Sequence, residues 1–197
     1  MIDHELKCIF IHIQRTAGTS IEEWLCGQDW WFVEQKTKHV IASQARDLYS
    51  EYWDSYFKFS FVRNPVDRVI SCLKYRDHFG IGLEGNEIEF KKYFDCYGEE
   101  IILEHDQRFY SRSDLINNNH VKNAIYSNIL DEDIDFIGKY ENLIADTKHI
   151  KNQLKIKNDF DIHAEKSDNR ISYRDLSQRS LDEIYRIYSV DIERFRY

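Results

Sequence analysis

The chain has 197 residues, of which 42% are hydrophobic and 15% aromatic, a composition that excludes intrinsic disorder and predicts one domain spanning residues 1–197. Its formal net charge of −8 excludes a general nucleic-acid binder, because such domains are usually basic. No apolar segment is long enough for a signal peptide or a membrane span, and the four scattered cysteines are expected to be free thiols. Together these features predict a soluble protein of the reducing cytoplasm.

The first motif, residues 9–23 (IFIHIQRTAGTSIEE), is predicted to contain a strand, a polar turn and the start of a helix. Residues 8–13 (CIFIHI) are almost continuously apolar, which predicts a strand buried on both faces of a parallel sheet. Residues 14–18 (QRTAG) interrupt this run, and Gly18 is expected to supply backbone angles that are closed to other residues.

Helix signals follow the turn directly. Thr19 and Ser20 are both good N-caps, and each is followed three residues later by a glutamate, Glu22 or Glu23, at the spacing of a capping box. A helix start presents unpaired backbone N–H groups and a partial positive charge, and Arg15 adds a full charge, so the turn is a candidate anion site. An ordinary capped strand-to-helix turn is the alternative interpretation.

The turn differs from the common nucleotide-binding motifs. A Walker P-loop has lysine directly after its second glycine, whereas Thr19 follows Gly18 here, and no G-x-G-x-x-G fingerprint is present. An ATP-dependent phosphotransferase is therefore a less favoured alternative.

The second motif, residues 59–71 (FSFVRNPVDRVIS), repeats the arrangement with different chemistry. Its strand is predicted over Phe57–Val62, and Arg63 stands at the carboxyl end, the edge at which open α/β sheets bind ligands. The following Asn-Pro pair suits an N-cap and a first helical position. Arg63 can hold a phosphate through two hydrogen bonds, and Ser71 can add a hydroxyl donor. A surface ion pair and an uninvolved helix serine are the alternatives for these two residues.

Helical or strand patterning recurs along the rest of the chain. Helices are predicted over residues 41–52, 87–104, 144–155 and 180–197, a short strand over residues 136–138, and a loop with a short helix over residues 112–128.

Taken together, the two motifs resemble the sulfotransferase superfamily that uses 3′-phosphoadenosine-5′-phosphosulfate (PAPS), in particular the branch acting on carbohydrates. Residues 12–20 (HIQRTAGTS) are similar to its H-I-P-K-T-A-G-T-S motif, which binds the 5′-phosphosulfate, and residues 61–71 match F-V-R-N-P-x-D-R-x-x-S, which binds the 3′-phosphate. Residues 135–143 (DFIGKYENL) and 188–197 (YSVDIERFRY) resemble the late strand and the last helix. The resemblance implies an α/β fold, a P-loop-like three-layer sandwich with a central, mainly parallel sheet flanked by helices.

The resemblance also implies a site for PAPS and for its product, 3′-phosphoadenosine-5′-phosphate (PAP). The residues expected to bind them lie in the two motifs and in a late basic loop: Arg15, Thr16, Ala17, Gly18, Thr19, Ser20, Arg63, Ser71, Lys166 and Arg170. Arg15 is a catalytic candidate too, because it replaces the family lysine that stabilises charge on the departing phosphate. Arginine keeps the charge but is a poor proton donor. A catalytically weakened PAPS-binding protein is therefore an alternative function.

Sulfuryl transfer to a hydroxyl also requires a base, and His39 is the candidate. Related carbohydrate sulfotransferases carry an acceptor-activating histidine in this segment, whereas a loop histidine beside lysines is the alternative interpretation. His12 is expected to pack or to orient the loop.

The implied acceptor is a carbohydrate or another molecule that bears a hydroxyl group, and its identity and the oligomeric state stay open. No His, Cys, Asp or Glu set has metal-ligand spacing, so no metal is predicted. Many animal members of the family are anchored in the Golgi by an N-terminal helix. Such a helix is absent from this sequence, so we expect either a soluble, bacterial-type enzyme of the cytoplasm or a chain shortened at its N-terminus.

Overall fold

Four strands form one mainly parallel sheet. The computed structural model describes residues 1–78, 125–161, 176 and 178–197. Within these residues the strands are β1 (Ile2–Asp3), β2 (Cys8–Ile11), β3 (Phe57–Val62) and β4 (Phe136–Lys139). Their order in the sheet is β1-β2-β3-β4, with β1 antiparallel to β2 and the other neighbouring pairs parallel.

Helices connect and cover the strands. In the described residues they are α1 (Gly18–Cys26), α2 (Trp31–Glu34), α3 (Ala42–Leu48), α4 (Ser50–Trp53), α5 (Pro65–His78), α6 (Tyr126–Ile129), α7 (Leu143–Leu154), α8 (Gln178–Ile187) and α9 (Ser189–Phe195), with 3₁₀ turns at Gln35–Thr37 and Tyr140–Asn142. None of these helices is both long enough and apolar enough to cross a membrane.

The sheet has a hydrophobic core on each face, because successive side chains of a strand point to opposite sides. Phe10 of β2 packs with Ile21 of α1 on one face. Its neighbour Ile9 packs with Ala42 of α3 and Phe195 of α9 on the other face. Two helical layers therefore enclose the sheet, and the predicted α/β fold with a central, mainly parallel sheet flanked by helices is confirmed.

Within the described residues, the predicted elements lie where the structure has strands and helices, but two of the predicted helices are each divided into two. The strand predicted over Phe57–Val62 is confirmed at both ends. The helix predicted over residues 41–52 is two helices, α3 and α4, and that predicted over residues 180–197 is interrupted at Tyr188. The helix predicted over residues 87–104 lies outside the described residues.

The sheet places the two sequence motifs side by side. β2 and β3 are adjacent and parallel, with Ile11 opposite Ser60, so their carboxyl ends reach the same edge. The chain leaves β2 into the turn before α1 and leaves β3 into the turn before α5. This edge is where open α/β sheets bind their ligands.

Candidate functional site

The first loop has a different conformation from the one its capping residues predict. Helix α1 begins at Gly18, its N-cap is Ala17, and no side chain caps it. Arg15 and Ala17 have positive φ angles, of 66° and 71°. Gly18, which was expected to supply the unusual backbone angles, does not have a positive φ. The capping box predicted at Thr19 and Ser20 is therefore wrong, because the helix starts before them.

Gly18 is required for space. An added Cβ would lie 2.1 Å from Nε2 of His12, whose ring is buried against the helix start. The glycine thus allows the end of β2 to pack closely on the first turn of α1.

Behind this loop lies a buried charged cluster around Glu22. The Glu22 carboxylate lies 2.6 Å from His12 Nδ1 and accepts hydrogen bonds from Lys38 Nζ (2.9 Å) and from the backbone N–H of Trp30 (3.2 Å). Lys38 also pairs with Asp29. Burial raises the pKa of Glu22, but His12 and Lys38 outweigh it and lower the pKa to about 2. Glu22 is therefore ionised at neutral pH.

Burial lowers the pKa of His12, although Glu22 opposes this effect. We assign the neutral tautomer that carries its proton on Nδ1, because the carboxylate accepts there. His12 thus orients the loop from within the protein.

His39 lies beside the first loop. Its ring is half-buried and meets the His12 ring edge to face, with 4.5 Å between the centroids. Its Nδ1 lies 3.5 Å from the His12 carbonyl oxygen. A proton on Nδ1 would point at this carbonyl, which leaves Nε2 as the basic nitrogen.

The second motif has the local structure that its sequence predicts. The Asn64 side chain accepts the N–H groups of Val66 (3.0 Å) and Asp67 (3.4 Å), and Pro65 is the first residue of α5. The Asn-Pro helix start is therefore confirmed.

Arg63 stands at the end of β3, between two tyrosines. Its backbone N–H donates to the Tyr126 hydroxyl (3.2 Å), which donates to the Arg63 carbonyl (2.6 Å). Its guanidinium lies 4.2 Å from the centroid of the Tyr140 ring. Arg63 Nε is buried without a hydrogen-bond partner among the described residues. Arg63 thus has a fixed backbone and a side-chain donor that no described residue satisfies.

Three cationic side chains join the two motifs. Arg15 Nε donates to the Ser71 hydroxyl (3.0 Å), and Arg63 Nη1 donates to the Arg15 carbonyl (3.4 Å). Arg68 of α5 donates from Nε to the Gln14 carbonyl (3.1 Å). The structure therefore concentrates positive charge at one point of a protein whose net charge is −8.

The other predicted site residues have varied surroundings. Thr16 is buried and donates its hydroxyl to the Ile13 carbonyl (2.8 Å). Thr19 is half-buried and Ser20 buried in the first turn of α1. Lys166 and Arg170 lie outside the described residues.

Several residues of the site escaped the sequence analysis. Glu22 looked like a capping residue and Lys38 had no predicted role, and their pairing joins positions 16 residues apart. Tyr140 had a usable signal, because it lies in the stretch 135–143 that resembles the family's late strand and loop. No cluster that could hold a metal ion occurs within the described residues.

Comparison with known protein families identifies the family of this chain. The sequence profile of the sulfotransferase family matches residues 1–197. The chain belongs to the sulfotransferase family. It is also 32% identical over 117 residues to Carbohydrate sulfotransferase 14 of Danio rerio, a match covering 48% of this chain and 29% of that relative. This match confirms the resemblance to the carbohydrate branch. No solved structure matches the sulfotransferase.

The predicted cytoplasmic location is wrong. The match is to a carbohydrate sulfotransferase of an animal, and animal members of this branch are the ones that the resemblance associates with a Golgi anchor. The aligned region covers only 29% of that relative, so a lack of apolar segments in this chain gives no support to a cytoplasmic location.

Proposed function

We propose that this sulfotransferase transfers a sulfuryl group from PAPS to a hydroxyl group of a carbohydrate acceptor. The observation that carries the proposal is the junction of the two motifs, where Arg15 contacts Ser71 and Arg63 contacts the Arg15 carbonyl. Two neighbouring cations on adjacent loops suit a ligand with anionic groups at two positions.

The residues present fit such a ligand. Arg63 Nε is a buried donor without a partner among the described residues, and a 3′-phosphate oxygen would satisfy it. Helix α1 has no acidic residue in its first turn and no side-chain cap, so its dipole and first backbone N–H groups are suited to the 5′-phosphosulfate.

PAPS supplies an activated sulfuryl group, and the protein aligns it and manages charge. In the proposed step the acceptor oxygen forms a bond to sulfur while the bond from sulfur to the phosphate oxygen breaks. Arg15 and the N–H groups of the first turn stabilise the charge left on the departing phosphate. His39 Nε2 takes the proton from the acceptor hydroxyl, with its Nδ1 directed at the His12 carbonyl.

The carbohydrate class of the acceptor comes from the relative in Danio rerio, whose name specifies carbohydrate. The half-buried His39, which lies beside the donor loop, suits any acceptor that bears a hydroxyl group.

Incubation with ³⁵S-labelled PAPS and a panel of neutral and acidic oligosaccharides tests the proposal. The expected result is label on at least one oligosaccharide, with one PAP formed for each sulfate transferred. Absence of transfer to the whole panel, together with Mg²⁺-dependent phosphate transfer from ATP, would instead favour a phosphotransferase.

The presence of arginine at position 15 favours one alternative, a weakened PAPS-binding protein. Arg15→Lys distinguishes the two functions. If the chain is a weakened PAPS-binding protein, turnover should rise by about tenfold or more in this variant, because lysine can donate a proton to the leaving group. If the chain is the proposed enzyme, turnover should not rise in Arg15→Lys, because Arg15 already supplies the positive charge.

A further inference from the structure

Glu22 joins three segments that are separate in sequence. It bonds His12 at the end of β2, the Trp30 N–H at the start of α2, and Lys38 just before His39. Glu22 is fully buried, and Lys38 is only 4% exposed. Neither residue has a part in the chemistry proposed above.

A buried ion pair is a costly way to stabilise a fold. Removing a carboxylate and an ammonium from water costs several kcal/mol each, and well-packed apolar residues often replace such a pair without loss of stability. A role in holding a particular geometry explains the cluster better than stability does.

The geometry held by Glu22 is that of His39. Lys38 precedes His39 in the chain and is anchored by its ammonium to Glu22. On the other side, the His39 ring packs on the His12 ring, and its Nδ1 lies 3.5 Å from the His12 carbonyl. His12 itself bonds Glu22. The chain neighbour of His39 and the residue against which its ring packs are therefore fixed by one carboxylate.

We propose that Glu22, through Lys38 and His12, is the positioning residue that sets His39 against the donor loop. The inference rests on the proposed function, because it assigns a purpose to the position of His39. Glu22 does not touch the reacting atoms. It acts by fixing the distance between the segment that carries the base and the loop that binds the donor.

Hydrogen exchange reports on this position without an acceptor. Two amides of the segment have defined partners, Lys38 N–H with the Gln35 carbonyl and Ile41 N–H with the Gln44 side chain. The amide of Arg68, bonded to the Asn64 carbonyl in α5, is the reference. Exchange is compared among the wild type, Glu22→Gln and Lys38→Met.

Matched controls come from neighbouring residues of the same type. Glu23→Gln removes a carboxylate from α1 next to Glu22, and Lys36→Met removes an exposed ammonium from the His39 segment. In Glu22→Gln the amide oxygen can still accept from His12, but this substitution removes the oxygen that accepts from both Lys38 and the Trp30 N–H. Lys38 keeps Asp29 in that variant, so Lys38→Met should have the larger effect.

Exchange at residues 36–41 should be about tenfold or more faster in Glu22→Gln and Lys38→Met, with a smaller increase at Arg68 because breaking a buried ion pair also lowers global stability. The affinity for PAP stays unchanged, and turnover with an acceptor from the oligosaccharide panel falls by about tenfold or more. The two controls should match the wild type.

Two results would overturn the proposal: exchange at residues 36–41 that is the same in Glu22→Gln and Glu23→Gln, or an equal increase at Arg68, which would indicate global destabilisation. Wild-type protein that fails to bind PAP would refute the proposed function instead. The exchange experiment needs no nucleotide, so the two failures are distinguishable.

Discussion

The two motifs share the order of strand, turn and helix but are held by different kinds of interaction. In the second motif Asn64 caps its own helix through residues two and three positions ahead. In the first motif no side chain caps α1, and long-range contacts such as Arg15 with Ser71 hold the loop. Local chemistry therefore defines one helix start, and tertiary packing defines the other.

The largest expected effect is on turnover and comes from a substitution of His39, which lies beside the first motif. His39→Ala should lower turnover by about 10²–10⁴-fold, because the acceptor proton loses its base. PAP affinity, measured by calorimetry, should not change, because the proposed function gives His39 a role with the acceptor and none with the nucleotide.

The control for this variant is His4→Ala, which removes an exposed histidine that contacts Tyr56. It should retain full turnover. Turnover of His39→Ala equal to that of His4→Ala would reject His39 as the base.

Arg63→Ala tests the second motif. It should weaken PAP binding by about 1.5–3 kcal/mol for each ionic hydrogen bond lost. Calorimetry measures this loss, and Arg46→Ala, which removes an exposed arginine paired with Glu132, is the matched control. Equal affinities in the two variants would remove Arg63 from the site.

Gly18→Ala tests the close packing of the first loop. The added Cβ would overlap the His12 ring and should cost about 1–3 kcal/mol of unfolding free energy, with weaker PAP binding. Gly27→Ala separates the two effects. Gly27 has a φ of 81° and open space around it, so that variant should lose about 1–2 kcal/mol through backbone strain. Calorimetry should show normal PAP binding by Gly27→Ala, and weakening equal to that of Gly18→Ala would contradict this distinction.

The buried cluster behind the first loop should also make the stability of the fold depend on pH. Burial holds the pKa of His12 below its ordinary value of 6.5, so the unfolded chain takes up a proton that the folded protein does not. Stability should therefore fall as the pH drops below that value. His12→Asn, whose amide N–H can replace the Nδ1 donor, should flatten the decrease in Tm between about pH 7 and 5. An unchanged slope would show that His12 is charged in the fold.

At lower pH, protonation of Glu22 should decrease the stability of the fold further. Its pKa is about 2 in the fold against an ordinary 4.5, so its contribution to stability is complete above pH 4.5 and disappears as the pH falls towards 2. Thermal unfolding of Glu22→Gln should lack this acid phase.

The sequence predicted the parts of the fold and site that depend on local patterns. The strand Phe57–Val62, the cap at Asn64 and the position of Arg63 at the strand end follow from residues close together in the chain. The sequence did not predict that the two strands are neighbours, because the pairing of β2 with β3 joins residues about 50 positions apart.

The parts that the sequence did not predict depend on distant partners. Glu22 stands at a capping-box spacing, but the left-handed conformation of Ala17 starts the helix early and directs Glu22 into the core. Its pairing with Lys38 depends on how the chain returns after α2, which no local pattern specifies.

We propose that the junction of the two motifs binds a ligand with two separate anionic groups. Titration of the wild-type protein with PAP by calorimetry, with AMP and ATP in parallel, tests it most directly. We expect micromolar binding of PAP, which corresponds to about −8 kcal/mol, and binding of AMP and ATP weaker by about tenfold or more because both lack the 3′-phosphate. Equal affinities for the three nucleotides, or no binding of PAP, would contradict it.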